Sequence, residues 1–304
     1  MEIQRGLIVR SQSGFYWVYT PQGEITCQLR GRLKRGSVRG DIAAIGDWVK
    51  IQILPDGQGV IEEIEPRQRT LSRLAPNPHG AYEQIIIANA DQVIIVLACA
   101  SPEPRLGMLD RYLVICEKHA IPPLILINKA DLMPADQIQA KFAPYSDIGY
   151  PLLLVSAKSR QGLDALRQQL SGKISVLTGP SGVGKSTLLH TLFPNYEPRF
   201  AEVRRQTQKG RHTTVVREMI PLPEGGFVAD TPGLKALALW DIQPEELDGY
   251  FPEIRPLVSH CSFSDCTHLQ EPGCAVRQAV ENGQIHPLRY QSYLRMRQGM
   301  EDTE

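Results

Sequence analysis

Residues Gly179-Pro180-Ser181-Gly182-Val183-Gly184-Lys185-Ser186 fit the pattern G-x-x-x-x-G-K-[ST] and follow the apolar run Ile174-Ser175-Val176-Leu177. That context predicts a buried strand, a glycine-rich turn and a helix opening at Lys185-Ser186-Thr187-Leu188-Leu189, which commits this part of the chain to a parallel α/β sheet. Glycines let successive backbone N–H groups close around phosphate oxygens, and the helix N-terminus adds a favourable dipole. Lys185 is then placed to reach the β- and γ-phosphates of a nucleotide, and Ser186 to ligate a Mg²⁺ ion that bridges them. Thr187, in the same first turn, completes the residues expected around the phosphates.

The base is read by residues that come earlier in the chain. Asn128-Lys129-Ala130-Asp131 closes the apolar run Pro123-Leu124-Ile125-Leu126-Ile127 and so falls at the carboxyl end of a strand, where parallel sheets bind ligands. The Asp131 carboxylate can accept from guanine N1 and N2 together. Adenine would leave it unpaired, a mismatch that supports discrimination of about 10⁴-fold. Ser156-Ala157-Lys158 follows Leu152-Leu153-Leu154-Val155, offering the Ala157 N–H to guanine O6 and the Lys158 stem to the flank of the base. Base-reading segments ahead of the phosphate loop reverse the usual order of a guanine-nucleotide switch.

Two nucleotide-state sensors are expected after the loop, at Gly210-Arg211-His212-Thr213-Thr214 and at Gly226-Phe227-Val228-Ala229-Asp230-Thr231-Pro232-Gly233, with Asp230 ending a strand. Thr213 or Thr214 can complete the Mg²⁺ shell, Asp230 can hold the metal through water, and the Gly233 N–H would meet the γ-phosphate. Spacing does not choose between the two threonines. Leu234 stands where Ras-like enzymes carry a water-orienting glutamine and cannot orient a water. His212 is the candidate replacement; the competing reading is a solvated loop histidine. Arg204, Arg205, Lys209 and Arg211 make the first sensor basic.

The 304 residues, 42% of them hydrophobic, exceed one typical domain, and no apolar run is long enough to cross a membrane. A soluble cytoplasmic protein is expected. With 33 basic against 33 acidic residues, any RNA contact must come from local patches. Residues 1–74 carry short β-prone runs at 14–19, 24–29, 47–54 and 59–64 separated by turn residues, which reads as a small OB-like β-barrel. Arg30, Arg32, Lys34, Arg35 and Arg39 cluster with almost no acidic neighbours before Asp41 and are candidates for phosphate contact, against a solvated basic turn. Trp17 and Tyr19 share one strand face and suit core packing as well as base stacking.

Near the C-terminus, Cys261-x₄-Cys266-x-His268-x₅-Cys274 gathers three thiols and an imidazole, the donor set of a closed structural zinc site. His260 is an alternative nitrogen ligand. Cys27, Cys99 and Cys116 read as buried packing residues, and residues 287–297 as a basic helix facing rRNA or solvent.

The motif order NKAD, SAK, GPSGVGKS, RHTT, DTPG resembles the circularly permuted GTPases, and the whole chain is similar to the RsgA (YjeQ/YloQ) family of small-subunit-dependent GTPases. The segments Ala90-Asp91-Gln92-Val93-Ile94-Ile95-Val96 and Leu109-Asp110-Arg111-Tyr112-Leu113 share the resemblance. It implies a multidomain fold: an OB-fold RNA-binding barrel over residues 1–74, a circularly permuted α/β P-loop GTPase over 75–240, and a mostly α zinc-binding domain over 241–304. It also favours His268 over His260 as a ligand. The implied protein is a monomer that hydrolyses GTP to GDP and phosphate with Mg²⁺, carries one structural Zn²⁺, and binds the small ribosomal subunit and its rRNA during late maturation. The competing class is a GTP-sensing RNA-binding module in which hydrolysis is incidental. A P-loop kinase would need neither the guanine-reading motif nor the sensors.

Overall fold

In the computed structural model, residues 3–35, 41–75, 82–194, 217–230 and 242–300 are described. The N-terminal unit is a closed barrel of five strands: β1 (Ile3–Gln12), β2 (Phe15–Thr20), β3 (Gly23–Leu29), β4 (Trp48–Ile53) and β5 (Gly59–Ile64). Their order is β1-β2-β3-β5-β4, and β1 pairs with β4 to close the ring. The four β-prone runs in the sequence became β2 to β5. The closing strand β1 was not legible in the same way, because its outer residues Arg5, Arg10 and Gln12 break the apolar signal.

A hairpin of β6 (Thr70–Ala75) and β7 (Tyr82–Ala88) leads into the central domain. There β8 (Gln92–Ala98), β9 (Pro123–Asn128), β10 (Leu152–Leu154), β11 (Ile174–Thr178) and β13 (Phe227–Asp230) run parallel in the order β10-β9-β8-β11-β13. An antiparallel strand, β12 (Arg217–Pro221), follows β13. Strand β8 is buried along its whole length. Val93, Ile95 and Leu97 enter the core on one face, while Ile94, Val96 and Ala98 enter the core on the other. A strand covered on both faces loses the polar half of its alternation, which is why it reads as a continuous apolar run.

The first face is covered by α1 (Leu106–Lys118) and α2 (Ala135–Ser146), the second by α3 (Leu163–Leu170) and α4 (Lys185–Leu192). Barrel and central sheet are continuous, since Arg10 and Ser11 of β1 pair with Glu218 and Arg217 of β12. The C-terminal unit is built from 3-10 turns at Pro244–Tyr250 and Arg255–His260, then α5 (Ala275–Glu281) and α6 (Pro287–Arg297). It has its own core around Leu247, Phe251, Ile254, Val276 and Tyr293. No helix among the described residues is long and apolar enough to cross a membrane.

Two sequence expectations change on folding. The basic cluster is less exposed in charge than its neighbours suggested, because Glu62 on β5 pairs with both Arg30 and Arg32. Arg289 of the basic C-terminal helix points inward and is 1% exposed, so that helix presents Arg295 and Arg297 rather than all three arginines. Trp17 is stacked under Arg10, with the guanidinium carbon 3.6 Å from the ring centroid, and Tyr19 meets Phe227 edge-on. Cys27, Cys99 and Cys116 are buried as read.

Candidate functional site

The phosphate loop leaves the carboxyl end of β11 and enters α4 at Lys185, as the sequence pattern requires. Its glycines are there for space. A Cβ on Gly179, whose φ is +136°, would sit 2.1 Å from the Val96 carbonyl oxygen, and one on Gly184, with φ +93°, would sit 2.5 Å from Asn128 Nδ2. Gly179 is pressed against fixed backbone, and both φ values are ones that L side chains rarely adopt, which suits a tight loop of the kind whose N–H groups cradle phosphate. Lys185 Nζ reaches back over that concavity, donating to the carbonyls of Gly179 and Pro180 at 2.7 Å each. Ser181, Ser186 and Thr187 are exposed on its rim, while Val183 is buried beneath it.

The Asn128-Lys129-Ala130-Asp131 turn lies against this loop. Asn128 ends β9 and is 2% exposed; its Nδ2 donates to the Val183 carbonyl at 2.8 Å, and its Oδ1 accepts from the Ala157 N–H at 3.3 Å. Lys129 Nζ donates to the Gly182 carbonyl at 2.8 Å. Asp131 is exposed, and its Oδ1 accepts from the Ser156 hydroxyl at 2.6 Å. That bond, aided by Lys158 and Lys129, holds the Asp131 carboxyl below the usual range, so it stays an acceptor well into acid. Ser156 is fully buried and also accepts from the Ser159 N–H at 3.0 Å. Thus Asn128, Lys129, Asp131, Ser156, Ala157, Lys158 and residues 179–187 meet at the carboxyl ends of β9, β10 and β11 although they come from three separate stretches of sequence.

Asp230 closes β13 opposite Leu177 of β11, which brings its backbone to the same sheet edge. His212, Thr213, Thr214, Gly233 and Leu234 lie outside the described residues, as does the side chain of Asp230.

The ligand atoms of Cys261, Cys266, His268 and Cys274 all lie within 4.8 Å of one another. Cys261 Sγ and Cys274 Sγ are 4.0 Å apart, and His268 Nδ1 is 3.6 and 3.4 Å from them. Zinc–sulfur bonds of about 2.3 Å in a tetrahedron set sulfur atoms about 3.8 Å apart, so the donor set fits zinc. His260 stays outside the cluster, its Nδ1 3.1 Å from the Pro256 carbonyl oxygen. Burial pushes the His268 pKa down despite Asp248, which favours the neutral imidazole a metal needs. Asp248, missed in the sequence, lies 3.4 Å from His268 Nε2 and fixes the ring so that Nδ1 faces the thiols. It sits within the acidic Pro244–Tyr250 turn, far from the cysteines in sequence, and no spacing rule points to it.

A phosphate loop, a guanine-reading turn placed before it in the chain, and a parallel sheet that joins them define a circularly permuted P-loop GTPase. The RsgA GTPase family model matches residues 64–240, and the RsgA N-terminal domain model matches residues 5–61. The chain is 46% identical over 298 residues to the small ribosomal subunit biogenesis GTPase RsgA of Gemmatimonas aurantiaca, covering 96% of each chain. Among solved structures, it is similar to YjeQ from Thermotoga maritima, with a TM-score of 0.80, 34% identity and full coverage of both chains. It is also similar to YloQ, a circularly permuted GTPase, with a TM-score of 0.76 and 34% identity over 100% of this chain and 96% of that one. The chain belongs to the RsgA family.

Proposed function

We propose that this protein hydrolyses GTP to GDP and phosphate while bound to the small ribosomal subunit in late maturation, and that the subunit and its rRNA stimulate the turnover. The observation that carries the reading is Asn128, which ties the base-reading turn to the phosphate loop through Val183 and Ala157. The relatives' printed name supplies the small subunit as partner.

In this reading Asn128, Lys129, Asp131, Ser156, Ala157 and Lys158 take the guanine, and residues 179–187 take the phosphates. Lys185 leaves the carbonyls of its own loop for the β- and γ-phosphate oxygens. Ser186, Asp230 and either Thr213 or Thr214 would hold a Mg²⁺ ion, directly or through water, which would supply neutralisation of phosphate charge. Since Leu234 cannot orient the attacking water, His212 does so, and Gly233 reports the γ-phosphate. Cys261, Cys266, His268 and Cys274 hold one structural Zn²⁺ that organises the C-terminal unit. The barrel over residues 1–74, the GTPase unit over 75–240 and the zinc unit over 241–304 act as a monomer, the outer two gripping the subunit.

Leu234 also supports a second reading, a GTP sensor in which hydrolysis is incidental. Turnover of the pure protein is measured with and without small subunits, using large subunits as control. Stimulation by small subunits alone supports the hydrolase; its absence favours the sensor.

A further inference from the structure

Lys129 is held in the left-handed region of backbone space, with φ +60° and ψ +32°. Residues that carry a side chain seldom enter that region, and one that does stays there only where its surroundings over-determine the backbone. At Lys129 those surroundings come from the end of β8. The Cys99 N–H donates to the Asn128 carbonyl at 3.0 Å, and the Cys99 thiol donates to the Lys129 carbonyl at 2.9 Å. A little further on, the Ser101 carbonyl accepts from Lys129 Nζ, which also donates to the Gly182 carbonyl at 2.8 Å. The stretch Cys99-Ala100-Ser101 thus grips Lys129 at both ends, by its backbone and by its ammonium group. On the other flank, the Ala130 N–H donates to the Val155 carbonyl at 3.0 Å.

Packing accounts for the burial of Cys99, which is 0% exposed and part of the main core. Packing alone would be served as well by alanine or valine. What the thiol adds is a proton donor small and weakly polar enough for an apolar place. Burial pushes its pKa up, so it stays protonated and keeps donating at neutral pH. The Lys129 carbonyl also accepts from the Leu132 N–H at 2.9 Å, a bond made within the turn itself, whereas Cys99 reaches the same oxygen from outside. Asp131 comes just after Lys129 and its side chain is exposed. Rotation of Lys129 out of the left-handed region would therefore swing the Asp131 carboxylate relative to the phosphate loop.

We propose that Cys99 is a positioning residue for guanine selection: its thiol, together with the Ser101 carbonyl, locks Lys129 in the conformation from which Asp131 meets the base. Cys99 does not touch the nucleotide. The inference rests on the guanine-reading role proposed above for Asn128-Lys129-Ala130-Asp131.

The test compares GDP with inosine diphosphate, which lacks the 2-amino group that Asp131 would accept from. Both displace N-methylanthraniloyl-GDP from the full-length protein, and selection is read as the ratio of their affinities. Cys99→Ala and Cys99→Val lack the donor, one being smaller and the other larger than cysteine, while Cys99→Ser keeps it. Each donor-less variant is expected to lower the ratio by about tenfold, with GDP binding falling more than inosine diphosphate binding, and Cys99→Ser to stay close to wild type. An unchanged ratio in the donor-less variants overturns the proposal. So does an equal loss for both nucleotides, the mark of general loosening, or a Cys99→Ser variant no better than Cys99→Ala. Either donor-less variant decides if the other does not fold; unfolding of both would make Cys99 a core residue alone and overturn the proposal as well. A wild-type protein that does not bind the GDP probe, or that binds ADP as tightly as GDP, would instead sink the guanine-reading role itself.

Discussion

Asn128 and Val183, far apart in sequence, are joined where β9 and the phosphate loop meet: the Asn128 amide donates to the Val183 carbonyl at 2.8 Å with both residues buried. One side chain thereby ties the turn after β9 to the glycine-rich loop after β11, the two segments to which base and phosphate binding are assigned in the proposed function.

Asn128→Ala removes that bond and the acceptor for Ala157, leaving a buried carbonyl unpaired. A loss of about 1–3 kcal/mol, or about 5- to 160-fold in GDP affinity, is expected by isothermal titration calorimetry, with little change in melting of the barrel.

Ser156→Ala tests the acid limb of guanine binding. The depressed pKa of Asp131 means the carboxylate persists below its ordinary value of 3.8, and affinity falls only as pH drops through the lowered value. Without the Ser156 hydroxyl the pKa rises, so GDP affinity should begin to fall at higher pH than in wild type. Superimposable pH profiles of probe fluorescence would contradict this.

His212→Ala should cut subunit-stimulated turnover by about 10²- to 10⁴-fold while GTP binding stays within a small factor of wild type. Single-turnover hydrolysis with small subunits reads this directly. Unchanged turnover removes His212 from the chemistry.

Asp248→Ala frees the His268 ring to rotate and should weaken zinc binding by about 10- to 100-fold, measured by competition with a chromophoric chelator. Full chelation should unfold residues 242–300 and leave the barrel folded, seen as a loss of exchange protection confined to that segment.

A fragment of residues 241–304 should not fold alone even with zinc. It lacks Val114 of its core and Asp110, the partner of Arg289, so circular dichroism should show little helix. Extending such a fragment with a helix spanning 106–118 should restore part of the signal.

What could be read in the sequence was what chain-local chemistry dictates. The phosphate loop, the turn at Asn128 and the Cys/His cluster each keep their residues close in sequence, so spacing alone brings them together. Strands β8 and β9 announce themselves because burial on both faces leaves unbroken apolar runs. What was lost depends on partners from distant segments. Glu62 on the neighbouring strand pairs with Arg30 and Arg32 and offsets one of their two charges, Asp248 orients His268 from a separate turn, and Arg289 is drawn inward by Asp110 on a helix of another domain. Asp110 carried a faint sign, being an acid among the apolar residues Leu109, Tyr112 and Leu113. Strand β1 was obscured because its residues serve two interiors, Ile8 the barrel and Leu7 and Val9 the main core, so no single face is cleanly apolar.

The short ladder between β1 and β12 bears on how this chain avoids sticking to its neighbours. Open sheets end in strands whose unpaired N–H and C=O groups invite a foreign strand, and lengthening a sheet ordinarily just moves that hazard outward. Here Arg10 and Ser11 pair with Glu218 and Arg217 at the start of β12, so over those two residues the sheet runs on into a closed barrel rather than ending in an edge. The remaining margin is β10, only Leu152–Leu154 long. Cutting away the first strand would therefore do more than open the barrel: it would also uncover Arg217 and Glu218 and lengthen the margin of the GTPase sheet open to pairing between molecules.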